Sequence, residues 1–158
     1  MGTIIHTGSC LCKGVMFEVI APLNNVVTCH CTQCRKTSGH YAASIIVPTA
    51  KMELLRFETL KWFPSMDGVS KGFCADCGSS LFWQLEGRDG WSVSAGAFDD
   101  PTGVKVNYHC FTSEKGDYYD ISDGCPQAPQ FDIDVTKTRR SMGLGSIKST
   151  TKKTNDRD

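Results

Sequence analysis

Seven of the nine cysteines fall into three short clusters, and their spacing constrains the fold more than any other feature of the sequence. Along the chain the clusters read C-x-C, C-x-C-x-x-C and C-x-x-C, while Cys110 and Cys125 stand apart. An odd number of cysteines excludes a complete set of intramolecular disulfides, and closely spaced cysteines in a reducing compartment are typical of metal ligands. The clustered residues are Cys10 and Cys12, then Cys29, Cys31 and Cys34, then Cys74 and Cys77.

The first and third clusters together have the ligands of a closed zinc site. Zinc prefers thiolate sulfur in tetrahedral geometry, and structural sites are usually completed by four protein ligands. Because a two-cysteine cluster supplies half of such a site, we expect Cys10 and Cys12 to combine with Cys74 and Cys77. The ion would then join two parts of the chain that lie roughly sixty residues apart in sequence.

The middle cluster offers three thiols within six residues, Cys29, Cys31 and Cys34. Three protein ligands with an open fourth position is the arrangement of a catalytic zinc, whose vacancy takes water or a substrate. A fourth protein ligand would instead make the site structural, and the spacing alone leaves both interpretations open. The residues that offer such a ligand are Cys110, Cys125, His30 and His40.

Two other chemistries use clustered cysteines, and both fit the sequence less well than zinc. A redox-active C-x-x-C usually opens a helix next to a parallel strand, and that context is absent around 74–77. An iron–sulfur cluster uses the same thiolates, but the spacings do not match the ferredoxin patterns.

The residues between the clusters predict a mainly β fold of short antiparallel strands. Runs of β-branched and aromatic residues alternate with Gly and Pro, which is the pattern of many short strands. One helical turn is expected over 31–38, with Gly39 ending it. The predicted strands cover 14–20, 41–47, 52–55, 60–63, 79–85, 91–95 and 104–106.

Length and charge indicate one folded domain, 1–134, followed by a basic, disordered tail, 135–158. Residues 136–158 carry seven Lys and Arg against two Asp, so the rest of this neutral chain is acidic. An acidic body argues against broad nucleic-acid binding by the folded part. No apolar run is long enough to cross a bilayer, and the first residues lack the pattern of a signal peptide. We therefore expect a cytoplasmic protein without membrane contacts.

The clusters resemble those of the glutathione-dependent formaldehyde-activating enzyme family, which also includes centromere protein V. The resemblance extends over roughly residues 3 to 130 and includes GAFDDP at 96–101, His109 and Asp123-Gly124. The chain departs from the family at Cys110 and Cys125, where members commonly carry an aliphatic residue. The three motifs that carry the resemblance are GSCLCKGV at 8–15, CHCTQCRKTSG at 29–39 and FCADCGS at 73–79.

The resemblance implies a β-tent-like fold with two zinc ions per chain. By position, Cys10, Cys12, Cys74 and Cys77 match the structural zinc, and Cys29, Cys31 and Cys34 match the catalytic zinc. The implied activity is that of a carbon–sulfur lyase, an S-(hydroxymethyl)glutathione synthase that condenses formaldehyde or a related aldehyde with glutathione or a similar thiol. The alternative is a non-catalytic zinc-binding module that contacts a protein or chromatin partner. A homo-oligomer is compatible with either function.

Several polar residues near the clusters have two interpretations each. Arg35 and Lys36 either bind the carboxylates of glutathione or are solvent-facing charges. His109 is either a proton shuttle or a buried, hydrogen-bonded core histidine. His30 is expected to point away from the ion, and Ser38 to bond local backbone. The tryptophans are interpreted as core residues, Trp62, Trp83 and Trp91.

Overall fold

The computed structural model describes residues 2–130, which form ten strands and one α-helix. The predicted tail, 135–158, lies outside the described residues. Three short 3₁₀ turns occur at Thr49–Lys51, Ala95–Ala97 and Thr112–Glu114. The elements are β1 His6–Ser9, β2 Met16–Val19, β3 Val26–Cys29, α1 Thr32–Ser38, β4 Ala42–Val47, β5 Met52–Arg56, β6 Leu60–Met66, β7 Val69–Cys74, β8 Ser80–Leu85, β9 Trp91–Ser94 and β10 Val106–Cys110.

The strands form two sheets, which confirms the mainly β prediction. The smaller sheet has the order β1-β2-β5, and the larger has the order β10-β3-β4-β9-β8-β7-β6. Among the named strands of residues 2–130, every strand pairing is antiparallel except that of β10 with β3, which is parallel and lies at the edge of the larger sheet. A parallel neighbour needs a long connection, and residues 30–105 separate β3 from β10.

The predicted strands differ from the observed ones in three respects. The strand predicted at 104–106 lies too early in the sequence, because the observed strand is Val106–Cys110. The strands near 52–55 and 60–63 exist but belong to different sheets, so the turn between them does not make a hairpin. Strands β1, β3 and β7 were missed, since β1 has no apolar residue and the other two end in cysteine clusters.

Phe17 of the smaller sheet joins the two sheets. Its side chain is fully buried, and its ring centroid lies 5.4 Å from that of Phe82 in the larger sheet. The Phe98 ring packs edge-on against the Phe17 ring, with 5.5 Å between their centroids. Gly8 of β1 lies against the Phe17 ring, and a Cβ added to Gly8 would be 2.1 Å from it. The close approach of β1 to this ring therefore requires glycine.

Helix α1 is confirmed where the sequence predicted a helical turn. It spans seven residues and buries none of them, so it is too short to be stable on its own. Cys31 caps its N-terminus, and Gly39 ends it at φ 81°, a left-handed conformation that favours glycine. Glu114 also accepts hydrogen bonds from the Thr32 backbone N–H and hydroxyl, at 2.8 and 2.9 Å. No helix among residues 2–130 is both long and apolar enough to span a membrane.

Candidate metal centre

The first and third cysteine clusters meet where β1 of the smaller sheet approaches β7 of the larger sheet. Cys10 and Cys12 follow β1, Cys74 ends β7, and Cys77 lies in the turn to β8. Their four Sγ atoms all lie within 4.8 Å of one another. Cys12 Sγ is 3.6 Å from both Cys10 Sγ and Cys74 Sγ. The backbone N–H of Val15 donates to Cys10 Sγ at 3.2 Å.

Hydroxyl groups support two sulfurs of this first set. Thr59 Oγ1 lies 3.2 Å from Cys74 Sγ, and this hydrogen bond is the main cause of a lowered pKa for the Cys74 thiol. The Ser79 hydroxyl, 3.2 Å from Cys77 Sγ, is the main cause that lowers the pKa of Cys77 to about 5. The protein therefore favours the ionised form of both sulfurs, the form that binds metal.

The middle cluster forms a second set at the junction of β3 and α1. Cys29 is the last residue of β3, Cys31 is the N-cap of α1, and Cys34 lies in the first turn of the helix. Their three Sγ atoms lie within 4.8 Å of one another, and all three residues are half-buried. The backbone N–H of Cys34 donates to Cys31 Sγ at 3.4 Å.

No fourth metal-binding side chain of residues 2–130 joins this second set. When Cys, His, Asp and Glu ligand atoms that all lie within 4.8 Å of one another are grouped, this group consists of the three thiols alone. The sequence left four residues as alternatives for a fourth position. His30, His40, Cys110 and Cys125 all lie outside the group.

The three thiols of the second set shift one another's pKa values. A hydrogen bond to the Cys110 thiol, followed by one to Cys31, raises the pKa of Cys29 above its ordinary range. Hydrogen bonds to Cys29 and Cys31 raise the pKa of Cys34 in the same way. The pKa of Cys31 is lowered to about 2, because the thiols of Cys29 and Cys34 donate to its sulfur. Because a metal ion binds cysteine as the thiolate, binding at this set would release the protons that remain on these sulfurs.

Both sets fit zinc by donor type and spacing. Sulfur is a preferred ligand of zinc, and Zn–S bonds of about 2.3 Å in a tetrahedron place neighbouring sulfurs roughly 3.8 Å apart. The 3.6 Å separations in the first set match this spacing, and the second set falls within the same limit of 4.8 Å. These cysteine groups can therefore hold metal ions.

A buried polar network lies next to the second set, and its extent was not foreseen from the sequence. His30 and Thr28 are fully buried, and His109 is 4% exposed. His109 Nδ1 lies 2.6 Å from Thr28 Oγ1 and 3.1 Å from His30 Nε2, while its Nε2 lies 2.9 Å from Asp123 Oδ2. His30 Nδ1 hydrogen-bonds the Tyr119 hydroxyl.

Both histidines of the network are buried inside the protein. His30 is fully buried, and this burial lowers its pKa to about 4. His109 is the buried, hydrogen-bonded histidine of the two interpretations. Its partners Thr28 and Asp123 gave no local sequence signal, because the contacts join residues about eighty apart or cross a loop.

Two charged residues of α1, Arg35 and Lys36, follow Cys34 in sequence. Arg35 is half-buried, and its Nε is a buried atom without a hydrogen-bond partner, whereas Lys36 is exposed. Both residues lie in the last turn of α1, where cations are favoured by the helix dipole. Ser38 Oγ donates to the Cys34 carbonyl at 2.6 Å, so the expected bond to local backbone is confirmed.

The tryptophans and the surface shape do not mark a binding site. Trp62 and Trp91 pack against the core, as expected, and Trp83 is half-buried with Arg88 over its ring at 5.6 Å. A surface depression of about 520 Å³ is lined by Met66 and Trp91 among others and contains no cysteine. The chemistry of the side chains, rather than cavity size, therefore identifies the candidate site.

His109, Asp123 and Cys125 form a further group of atoms within 4.8 Å of one another. Each of these three already has a partner inside the protein: His109 bonds Asp123, whose other oxygen accepts the Cys125 backbone N–H, and Cys125 Sγ donates to the Val106 carbonyl at 3.3 Å. These hydrogen bonds explain why the three side chains lie close together, and they orient His109.

Comparison with known proteins is consistent with the geometry. The crystal structure of a Rhodobacter sphaeroides protein matches 64% of this chain and 99% of its own, with a TM-score of 0.53 and 21% sequence identity. At that identity the likeness shows a shared fold alone. The family described as glutathione-dependent formaldehyde-activating enzyme matches residues 5–114, a range that contains both cysteine sets. Because this match covers more than half of the sequence, the chain belongs to the glutathione-dependent formaldehyde-activating enzyme family.

Proposed function

We propose that the protein is a zinc-dependent carbon–sulfur lyase, resembling S-(hydroxymethyl)glutathione synthase, that joins formaldehyde or a related aldehyde to glutathione or a similar thiol. The observation that carries the proposal is the difference between the two sets. Cys10, Cys12, Cys74 and Cys77 provide four mutually close thiols, enough to saturate a structural zinc, whereas the second set provides three and is half-buried.

In the proposed reaction a carbon–sulfur bond forms between the thiol and the aldehyde carbon, and the thiol proton ends on the former carbonyl oxygen. The thiolates of Cys29, Cys31 and Cys34 would hold the second zinc and anchor it to β3 and α1. When bound, that zinc would supply positive charge for a substrate thiolate or carbonyl oxygen. Since thiols and formaldehyde already combine in water, holding the two reactants in place accounts for most of the required acceleration.

The cations of α1 support an anionic thiol such as glutathione as the substrate. Arg35 follows the third thiol of the second set directly, and its half-buried guanidinium has an unpaired Nε. A guanidinium binds carboxylates in a bidentate fork, and glutathione carries two carboxylates. Lys36 is more exposed and contributes positive charge at longer range. Reduced thiols in both sets also fit the proposed cytoplasmic location.

The test combines activity with metal content. Purified protein is mixed with formaldehyde and glutathione, and formation of the adduct is followed by exchange NMR against the uncatalysed rate. We expect two zinc ions per chain, faster adduct formation, and loss of that acceleration in Cys34→Ser. The control is Cys125→Ser, which changes a cysteine outside both sets. A protein with two zincs that neither accelerates adduct formation nor binds glutathione would contradict the proposal.

One observation favours the alternative, a non-catalytic zinc module that contacts a protein or chromatin partner. Phe63 and Met66 of β6 are each 55% exposed, and β6 is an edge strand of the larger sheet. Exposed apolar side chains on a sheet edge are typical of contact surfaces. Under this alternative both zincs would be inert to millimolar glutathione, and Phe63→Ser rather than Cys34→Ser would abolish partner binding.

A further inference from the structure

Cys110 lies beside Cys29 at the common end of two neighbouring strands. β3 ends at Cys29 and β10 ends at Cys110, and these two residues are register partners in the parallel ladder. The backbone N–H of His30 donates to the Cys110 carbonyl at 3.0 Å, so the pairing continues to the last residue. Partner residues in a sheet project their side chains to the same face, which brings the two sulfurs together.

Cys110 is adjacent to one member of the second set without belonging to the set. Cys110 is the register partner of Cys29, and its Sγ donates to the carbonyl of Thr28, the residue before Cys29, at 3.4 Å. Cys110 is 7% exposed, whereas Cys29 is half-buried. Its sulfur is not within 4.8 Å of all three thiols of the second set. Cys110 is therefore placed to react with Cys29 rather than to complete a tetrahedron.

We propose that Cys29 and Cys110 are an oxidation site, at which hydrogen peroxide converts the pair to a disulfide and thereby removes one thiolate from the second set. The part of this inference that concerns metal release rests on the function proposed above. Adjacent strands are separated by about 4.8 Å, within the Cα range of roughly 4.4–6.8 Å that disulfides occupy. Cys29 and Cys110 are the last register pair of this ladder.

The chemistry balances with peroxide as the two-electron oxidant. In the zinc-loaded protein Cys29 would be held as a thiolate, and its sulfur, the more exposed of the two, attacks one peroxide oxygen to give a sulfenic acid and releases hydroxide. The Cys110 thiol then attacks the Cys29 sulfur, the S–S bond forms, and the sulfenic oxygen leaves as water with the thiol proton. Both sulfurs are oxidised, both peroxide oxygens are reduced, and a two-thiolate remnant of Cys31 and Cys34 is left.

The experiment treats the full, zinc-loaded chain with hydrogen peroxide, blocks remaining thiols, and digests the protein with trypsin without reduction. Cleavage after Lys13, Arg35, Lys105 and Lys115 gives peptides 14–35 and 106–115, which carry Cys29 and Cys110. We expect these two peptides to be joined, with fragmentation assigning the bond to Cys29. Zinc release is followed in the same samples with a colorimetric chelator, and a dithiol reductant should reverse both changes.

Two variants separate the inference from general oxidation of cysteines. Cys110→Ala should keep the zinc content of the wild type before treatment, lack the cross-link, and release zinc several-fold more slowly. The matched control is Cys125→Ala, the other cysteine outside the clusters, which should behave as the wild type does. Disulfides confined to Cys29, Cys31 and Cys34, or equal zinc release from Cys110→Ala and the wild type, would overturn the inference.

Two further outcomes identify which proposal fails. A Cys110→Ala protein that lacks one zinc before oxidation would show that Cys110 is a ligand, which overturns the role of Cys110 as an oxidation partner. A reduced wild-type protein that holds only one zinc would overturn the proposed function, while joined peptides in that sample would still support the oxidation site.

Discussion

Replacing Cys74 with serine is expected to destabilise the fold far more than replacing Cys34. Cys74 is fully buried, and its sulfur lies 3.6 Å from Cys12, which is 62 residues away in sequence. A zinc ion held by both residues cross-links the smaller sheet to β7 and closes that long loop. By the chain-entropy relation for a cross-link, a loop of this length is worth about 4 kcal/mol of unfolding free energy.

The second set closes a much shorter loop, since Cys29 and Cys34 are only five residues apart. Loop-closure entropy scales with the logarithm of loop length, so the two cross-links differ by about 2 kcal/mol. We therefore expect Cys74→Ser to lose about 4 kcal/mol, a large part of the roughly 5–15 kcal/mol that stabilises a typical domain. The loss of unfolding free energy in Cys34→Ser should be smaller than in Cys74→Ser by about 2 kcal/mol.

Urea denaturation of both variants, with zinc measured in the same samples, checks the difference. For a domain of this size the loss in Cys74→Ser corresponds to a melting temperature lower by roughly 15 °C. The serine variants preserve side-chain volume, so packing contributes little to the comparison. Equal destabilisation of the two variants, or a Cys74→Ser protein as stable as the wild type, would refute the idea of a cross-linking set and a separate open set.

Three further substitutions test the fold that positions the sets. Phe17→Ala should cost about 3–5 kcal/mol, measured by urea denaturation, because its buried ring joins the two sheets. Gly8→Ala should cost about 1–3 kcal/mol in the same assay, since its Cβ would meet the Phe17 ring, and Gly96→Ala is the control, with nothing within 4 Å of an added Cβ. Glu114→Gln should weaken the cap on Thr32 and lower the unfolding free energy by about 1 kcal/mol, and an unchanged value would show that α1 is held by its cysteines alone.

The sequence was most informative where chemistry depends on local spacing. The three cysteine clusters followed from short-range patterns, and helix α1 followed from Cys31 to Ser38 with Gly39 behind it. Zinc ligand spacing and a glycine C-cap are properties of a few consecutive residues, so one sequence is enough to find them. The assignment of these cysteines to two zinc ions stays a prediction.

Contacts between distant residues were not accessible in the same way. The hydrogen bond between Thr28 and His109 joins residues 81 apart, and the pairing of Cys29 with Cys110 depends on the parallel pairing of β10 with β3. Register across a long connection is set by packing of the whole sheet, which no local pattern encodes. Strand β1 was missed for a related reason, because its pairing with β2 rather than its own composition makes it a strand.

X-ray absorption spectroscopy of the zinc in reduced, purified protein tests most directly whether one set is closed and the other is open. Four sulfurs at one zinc and three at the other give an average of about 3.5 sulfurs per ion, with an oxygen or nitrogen ligand making up the rest. Addition of glutathione should raise that average toward four. A folded, reduced protein without metal would contradict the claim that one zinc set is closed and the other open. About four sulfurs per zinc before any thiol is added would contradict it as well.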